Sequence, residues 1–201
     1  YGDVLANLLK FNGDTVTKEY YVNDYGNQIT NFTKSVFLRI REIKYNEKFI
    51  SNEDLYPGEY IIDIGKKIIN LNKNEKFDNF DDSFTLLKKE SLKYSMKLIK
   101  FDLKQLGIEH DNFFSESDLV ANKLVDKAIS LLKKDNYVQE GYLEPPKGQA
   151  DKVWKKTKRL IFKSTLFGDD TDRAMQKNDG SWTYFANDVA YHMDKVQRKY
   201  E

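Results

Sequence analysis

An α/β fold is what the sequence predicts, and three observations carry that expectation. Within the first 45 residues a helical pattern, a β-branched and aromatic run, a glycine-containing turn and a second helical pattern follow one another, the order of an α/β nucleotide-binding layer. Past Tyr137 the long helical periodicities give way to short extended runs. The composition of the 201 residues is 40% hydrophobic, 14% aromatic and 32% charged, enough apolar material to bury a core beneath a highly charged surface.

In chain order, Tyr1, Val4, Leu5, Leu8 and Leu9 repeat at helical spacing, and Asn12-Gly13 supplies a C-cap. The run Thr15 to Val22 is rich in β-branched and aromatic residues and predicts a strand. Ile29, Phe32, Val36, Phe37 and Ile40 mark a helix begun near Asp24 to Gly26. Pro57 and Glu59 introduce a helix carrying Ile61, Ile64 and Ile68, after which the Asn/Asp-rich stretch 70–82 predicts a loop. Leu92, Met96, Ile99, Leu103 and Leu106 give the apolar stripe of a longer helix that Gly107 ends. A short strand over 108–115 and one helix between Ser117 and Lys134, with Leu124, Ala128 and Leu131, come next. Pro145-Pro146 predicts a turn and Leu160-Ile161-Phe162 a buried strand. Asp179-Gly180 predicts a hairpin between residues 173–176 and 182–185, before a last helix from about Asn187. The first helix lacks an N-cap and the last pattern stops in mid-helix, so both ends read as cuts within a longer polypeptide.

Several chemistries are excluded. The absence of cysteine removes disulfides, thiolate zinc sites and thiol nucleophiles, and suits a reducing cytoplasm. His110 and His192 have no metal-ligand spacing. A net charge of +1 argues against an overall basic footprint while leaving room for a local one. No apolar stretch approaches the roughly 20 residues that cross a bilayer, and no leader opens the chain, so no membrane partner is expected.

Two segments carry candidate chemistry. Asn23, Asp24, Gly26 and Gln28 sit where a strand enters a polar turn before a helix, the usual place for ligand contacts in an open α/β sheet. Asn23 or Asp24 would serve equally as an ordinary helix cap, and the residues alone leave both readings open. Farther on, Tyr184 and Asp188 offer a phenol and a carboxylate where a strand is expected to pass into a helix. They fit a guanidinium or ammonium group, although an acid at a helix N-terminus is also favoured by the helix dipole alone. The three acids Asp169, Asp170 and Asp172 do not match a calcium loop and read as a solvated turn with an Asp172–Arg173 pair. Lys152, Lys155, Lys156, Lys158 and Arg159 surround Trp154 as a basic run, read as a solvated face. Neither a P-loop nor a Gly-x-Gly-x-x-Gly turn occurs.

Four strings, in order, give the sequence a resemblance to the arginyl-tRNA synthetases. They are Tyr20 to Ile29, Tyr56-Pro57-Gly58-Glu59-Tyr60, the run Asp111 to Ser117 with Phe114-Ser115-Glu116-Ser117, and Phe167 to Asp170 continued by Ser181 to His192. The resemblance implies a partial Rossmann-like class I synthetase catalytic fold with largely helical insertions. Core segments would be 1–28, 89–117 and 182–201, with a mainly helical insertion at 29–88 and a mixed one at 118–181. It further implies that Tyr184 and Asp188 hold the arginine guanidinium and that Asn23, Asp24, Gly26 and Gln28 shape the active-site floor. ATP with Mg2+, L-arginine and tRNA(Arg) are the implied substrates of a monomeric, cytoplasmic ligase. The family's His-x-Gly-His motif and its Lys-containing loop are expected before Tyr1 and beyond Glu201. The 201 residues alone are therefore expected to be inactive, with no catalytic residue of their own. The competing expectation is a catalytically idle homologue that binds tRNA or a protein through the same fold.

Overall fold

Residues 1–143 and 157–200 are described by the computed structural model. They fall into two units, Tyr1–Ser115 and Glu116–Glu201, each with its own buried side chains. The Pro145-Pro146 turn, and Lys152, Trp154, Lys155 and Lys156 of the basic run, lie outside the described residues.

In the first unit, α1 (Gly2–Phe11) ends where Asn12 and Gly13 were expected to end it, with the Asn12 N–H donating to Leu8 O at 3.0 Å and Gly13 at φ 100°. Strand β1 (Glu19–Val22) is shorter than the run 15–22, and β2 (Asn112–Ser115) shorter than 108–115. Each stops where the other ceases to supply partners. The two pair in parallel from Glu19 opposite Asn112 to Val22 opposite Ser115, and Lys18 O closes the ladder by accepting from Asp111 N at 2.8 Å. A parallel pair needs a long crossover. Here it consists of α2 (Asn27–Tyr45), α3 (Glu59–Leu71) and α4 (Phe80–Gln105), so the α/β expectation holds with a strongly helical interior segment.

These three helices bury Phe32, Val36 and Ile40 against Ile61, Ile68 and Leu87. A methyl group at Gly65 would meet Ile40 Cγ1 at 3.4 Å, which shows how closely α2 and α3 approach. The loop after α3 is shorter than the predicted 70–82. Asn79 accepts from the N–H groups of Asp81 and Asp82 at 2.8 and 3.2 Å, so the Asn/Asp-rich composition marks a helix cap as well as a loop. The stripe predicted for α4 is only half-buried, and its last member, Leu106, is 75% exposed. The residues of α4 that are fully buried are Leu87 and Ser91, because its N-terminal half is what meets α2 and α3.

In the second unit the single helix expected over 117–134 is two, α5 (Glu116–Ala121) and α6 (Leu124–Lys134), parted at Lys123 with φ 55°. In one continuous helix Leu119 and Ala128 would point about 180° apart. The break lets both be buried. Strands β3 (Val138–Gly141), β4 (Arg159–Phe162) and β5 (Arg173–Ala174) form an antiparallel sheet, confirming the buried run at Leu160 and Ile161. The Asp179-Gly180 turn is present, with Lys177 N donating to Ser181 O at 2.8 Å. Its expected second strand is reduced to one bridge between Gln176 and Trp182, since Thr183 already caps α7 (Tyr184–Gln197).

Candidate functional site

At the C-terminal end of β1 the chain turns through Asn23 to Gly26 into α2. Asp24 is half-buried, and its Oδ2 accepts from the Ser115 hydroxyl at 2.6 Å, so the turn after β1 is tied to the end of β2. Asn23 Nδ2 donates to Gln28 Oε1 at 3.3 Å, bracing the turn across the start of the helix. The helix cap itself is Gly26, at φ 84°, and no side chain caps α2. The capping alternative for Asn23 and Asp24 therefore falls away. A side chain at position 26 would be strained at that φ, which gives the glycine its local reason. The four residues thus occupy one polar turn at the end of a parallel pair, where open α/β sheets receive ligands, with Asn23 bonded to Gln28 and Asp24 to Ser115.

The second unit carries the other pair. Tyr184 is the first residue of α7 rather than the end of a strand, and Asp188 lies one turn later, so the two share a helix face by i,i+4 spacing. Tyr184 is 75% exposed, and Asp188 is exposed, its carboxylate making no hydrogen bond or ion pair among the described residues. An open carboxylate beside an open aromatic ring is an arrangement suited to a cationic group.

The opposite face fixes where that pair points. Thr183 donates its hydroxyl to Ala174 O at 2.8 Å and accepts from Ala186 N at 3.4 Å, joining the helix start to β5. Ala186 and Ala190 are fully buried. Asn187, 2% exposed, donates to Glu116 Oε1 at 2.6 Å, and Glu116 is itself 7% exposed. This buried bond, missed in the sequence, ties α7 to α5 through the residue adjacent to Asp188. Both partners lie inside strings that carried the resemblance, but nothing local in either string says that the carboxylate goes inward.

The acidic turn also differs from its expected pairing. Arg173 grips Asp169, not Asp172, through Nε and Nη2 at 2.6 Å each, and Asp172 instead accepts from Thr165 N and Oγ1 at 3.1 and 2.7 Å. The bidentate guanidinium holds the Asp169 carboxyl down at about 2. Lys158, just before β4, pairs with Glu140 of β3 at 2.5 Å, so this part of the basic run has an acidic partner beside the sheet. That pairing lowers the Glu140 carboxyl and raises the Lys158 ammonium.

No family model matches the chain. Among curated proteins, it is 57% identical over 201 residues to the arginine–tRNA ligase of Pelagibacter ubique, covering 100% of this chain and 35% of that protein. It is 46% identical to the arginine–tRNA ligase of Ehrlichia chaffeensis over 202 residues, again covering 100% of this chain and 35% of the relative. The Rickettsia bellii arginine–tRNA ligase matches at 46% over 200 residues, 98% of this chain and 34% of that one. The chain thus spans about a third of the length of these relatives. A crystal structure described as a putative arginyl-tRNA synthetase from Campylobacter jejuni superposes with a TM-score of 0.80 at 30% identity, over 99% of this chain and 40% of that one.

Proposed function

The chain belongs to the arginyl-tRNA synthetase family along its whole length, and from that premise we propose that the polypeptide carrying it is an arginine–tRNA ligase. It would activate L-arginine with ATP, forming arginyl-adenylate with release of pyrophosphate, and pass the arginyl group to tRNA(Arg) with release of AMP, as a cytoplasmic monomer. The observation that carries the reading is the unbroken similarity to arginine–tRNA ligases across both units.

In this reading Asp188 takes the arginine guanidinium through charge-assisted hydrogen bonds while the Tyr184 ring packs on its planar face. Their exposure and the absence of a protein partner for Asp188 among the described residues suit a group that waits for substrate. Asn187 and Glu116 act behind them by holding α7 in place. In the first unit, Asn23, Asp24, Gly26 and Gln28 take the active-site-floor role that the family resemblance implies, with Ser115 bracing Asp24. ATP enters as substrate with Mg2+ on its phosphates. Activation is an in-line attack of the arginine carboxylate on the α-phosphate, and it depends on positioning and on donors to the developing phosphate charge.

The test is aminoacylation of a set of purified tRNAs by the full-length polypeptide, wild type against Asp188→Ala. Charging of arginine alone onto its own tRNA is expected. Loss of the charged pair, about 1.5–3 kcal/mol, should lower kcat/KM for arginine by roughly 10- to 150-fold. A wild type that charges nothing would leave the idle-homologue reading in its place.

A further inference from the structure

We propose that one face of α4 lies against the sugar-phosphate backbone of tRNA, an inference that rests on the tRNA-charging reading above. Lys89, Lys93, Lys97, Lys100 and Lys104 succeed one another at steps of three or four residues along this helix. At about 100° per residue they fall within an arc of about 80° and extend over about 22 Å. All five are exposed. Glu90, at the margin of the arc, holds Lys93 at 3.1 Å, and the other four have no carboxylate partner among the described residues.

Aromatic rings lie beside three of these ammonium groups. Lys67 of α3 and Lys93 and Lys97 of α4 place Nζ at 5.6, 5.7 and 5.5 Å from the centre of the Tyr94 ring. Lys100 Nζ sits 3.9 Å above the Phe113 ring. Beside it, Lys100, Lys104 and His110 border an open cavity that also includes Glu109. The result is an exposed row of positive charge with aromatic rings beside its middle members.

Packing does not require this row. The fully buried residues of α4, Leu87 and Ser91, are on the other side of the helix, and like charges one turn apart destabilise a helix. An acidic protein would also complement the charge, but lysine is depleted at protein interfaces and common in contacts to phosphate. A regular row of single charges along one straight face fits a regularly repeating polyanion.

The experiment measures binding of purified tRNA(Arg) to the full-length polypeptide by fluorescence anisotropy between about 50 and 200 mM salt. Wild type is compared with a variant combining Lys93→Ala, Lys97→Ala, Lys100→Ala and Lys104→Ala, and with a second carrying arginine at the same four positions. Alanine is the best helix former and removes the like-charge repulsion, so α4 keeps its fold. The alanine variant is expected to bind about tenfold or more weakly at low salt. Its slope of log affinity against log salt should be shallower by about 0.9 for each phosphate that the helix no longer neutralises, and arginine should restore both. An alanine variant with wild-type affinity and slope would overturn the α4 surface while leaving the ligase reading intact. An arginine variant as weak as the alanine one would also overturn it, because charge would not be the cause. A wild type that binds no tRNA(Arg) would sink both.

Discussion

Asp169 shows how much of this protein's side-chain chemistry is settled by partners rather than by sequence neighbours. Its grip by Arg173 lowers the carboxyl from the usual aspartate value of about 3.9 to about 2. Because the folded value is depressed, the pair's contribution to stability is present above about pH 4 and fades as pH falls through about 2. A carbon-detected NMR titration should find the Asp169 midpoint near 2, and Arg173→Ala should move it up toward the ordinary range. A midpoint already ordinary in the wild type would count against the bidentate geometry. The sequence points to an acid–arginine pair in this turn but favours the adjacent Asp172, since chain proximity cannot show that Asp172 is already taken by Thr165. Glu116 and Asn187 are invisible in the sequence for a related reason. A buried carboxylate is tolerable only with a partner, and here the partner lies 71 residues away.

Elements are easier to read than their ends. The apolar spacing of α2 and α3 predicts the apolar members of their buried faces, because a helix shows its core contacts in its own periodicity, but not the buried Thr33, Ser35 and Gly65. Strands β1 and β2 are shorter than their composition suggests because a strand's length is decided by a partner remote in sequence. The start of α4 comes earlier than the composition suggests because Asn and Asp serve loops and caps alike. That start has a measurable weight. Asn79 satisfies two N–H groups of the first turn, and Asn79→Ala should lower stability by about 1 kcal/mol, read as a shift in the urea midpoint with no change in slope. The same variant should speed amide exchange at Asp81 and Asp82. Unchanged exchange there would mean that the cap contributes nothing. The preceding loop is independently pinned, since Arg41 donates to Phe77 O at 3.1 Å and Tyr45 to Lys76 O at 2.5 Å, so the effect should stay within the first turn of α4.

On the scale of the whole molecule, the α/β class and the family were legible in the sequence, and the arginine role proposed for Tyr184 and Asp188 came only with the family. Tyr184 and Asp188 are an aromatic and an acid one helical turn apart, a pattern that the residues alone leave divided between a cation contact and an ordinary helix N-terminal acid; the structure adds that both are open to solvent and that the Asp188 carboxylate lacks a partner among the described residues. The division into Tyr1–Ser115 and Glu116–Glu201 was likewise not legible, because the boundary falls inside the Phe114-Ser115-Glu116-Ser117 string, with no linker composition to mark it. What the 201 residues do contain bears on their chemistry. They offer a candidate carboxylate for the guanidinium, but neither a glycine-rich phosphate turn nor a His-x-Gly-His motif. Adenylate formation draws most of its acceleration from aligned reactants and from donors aimed at the α-phosphate as charge builds there. Arginine contacts of the kind proposed for Tyr184 and Asp188, without those donors, would bind a substrate and leave the transition state unstabilised. The 201-residue chain assayed alone should therefore show no ATP turnover dependent on arginine and tRNA, whereas the full-length polypeptide, assayed in parallel with the same tRNA, should turn over. Turnover by the short chain at a rate approaching that of the full-length protein would mean that its own side chains supply the phosphate donors, and would redirect the search for them to these two units.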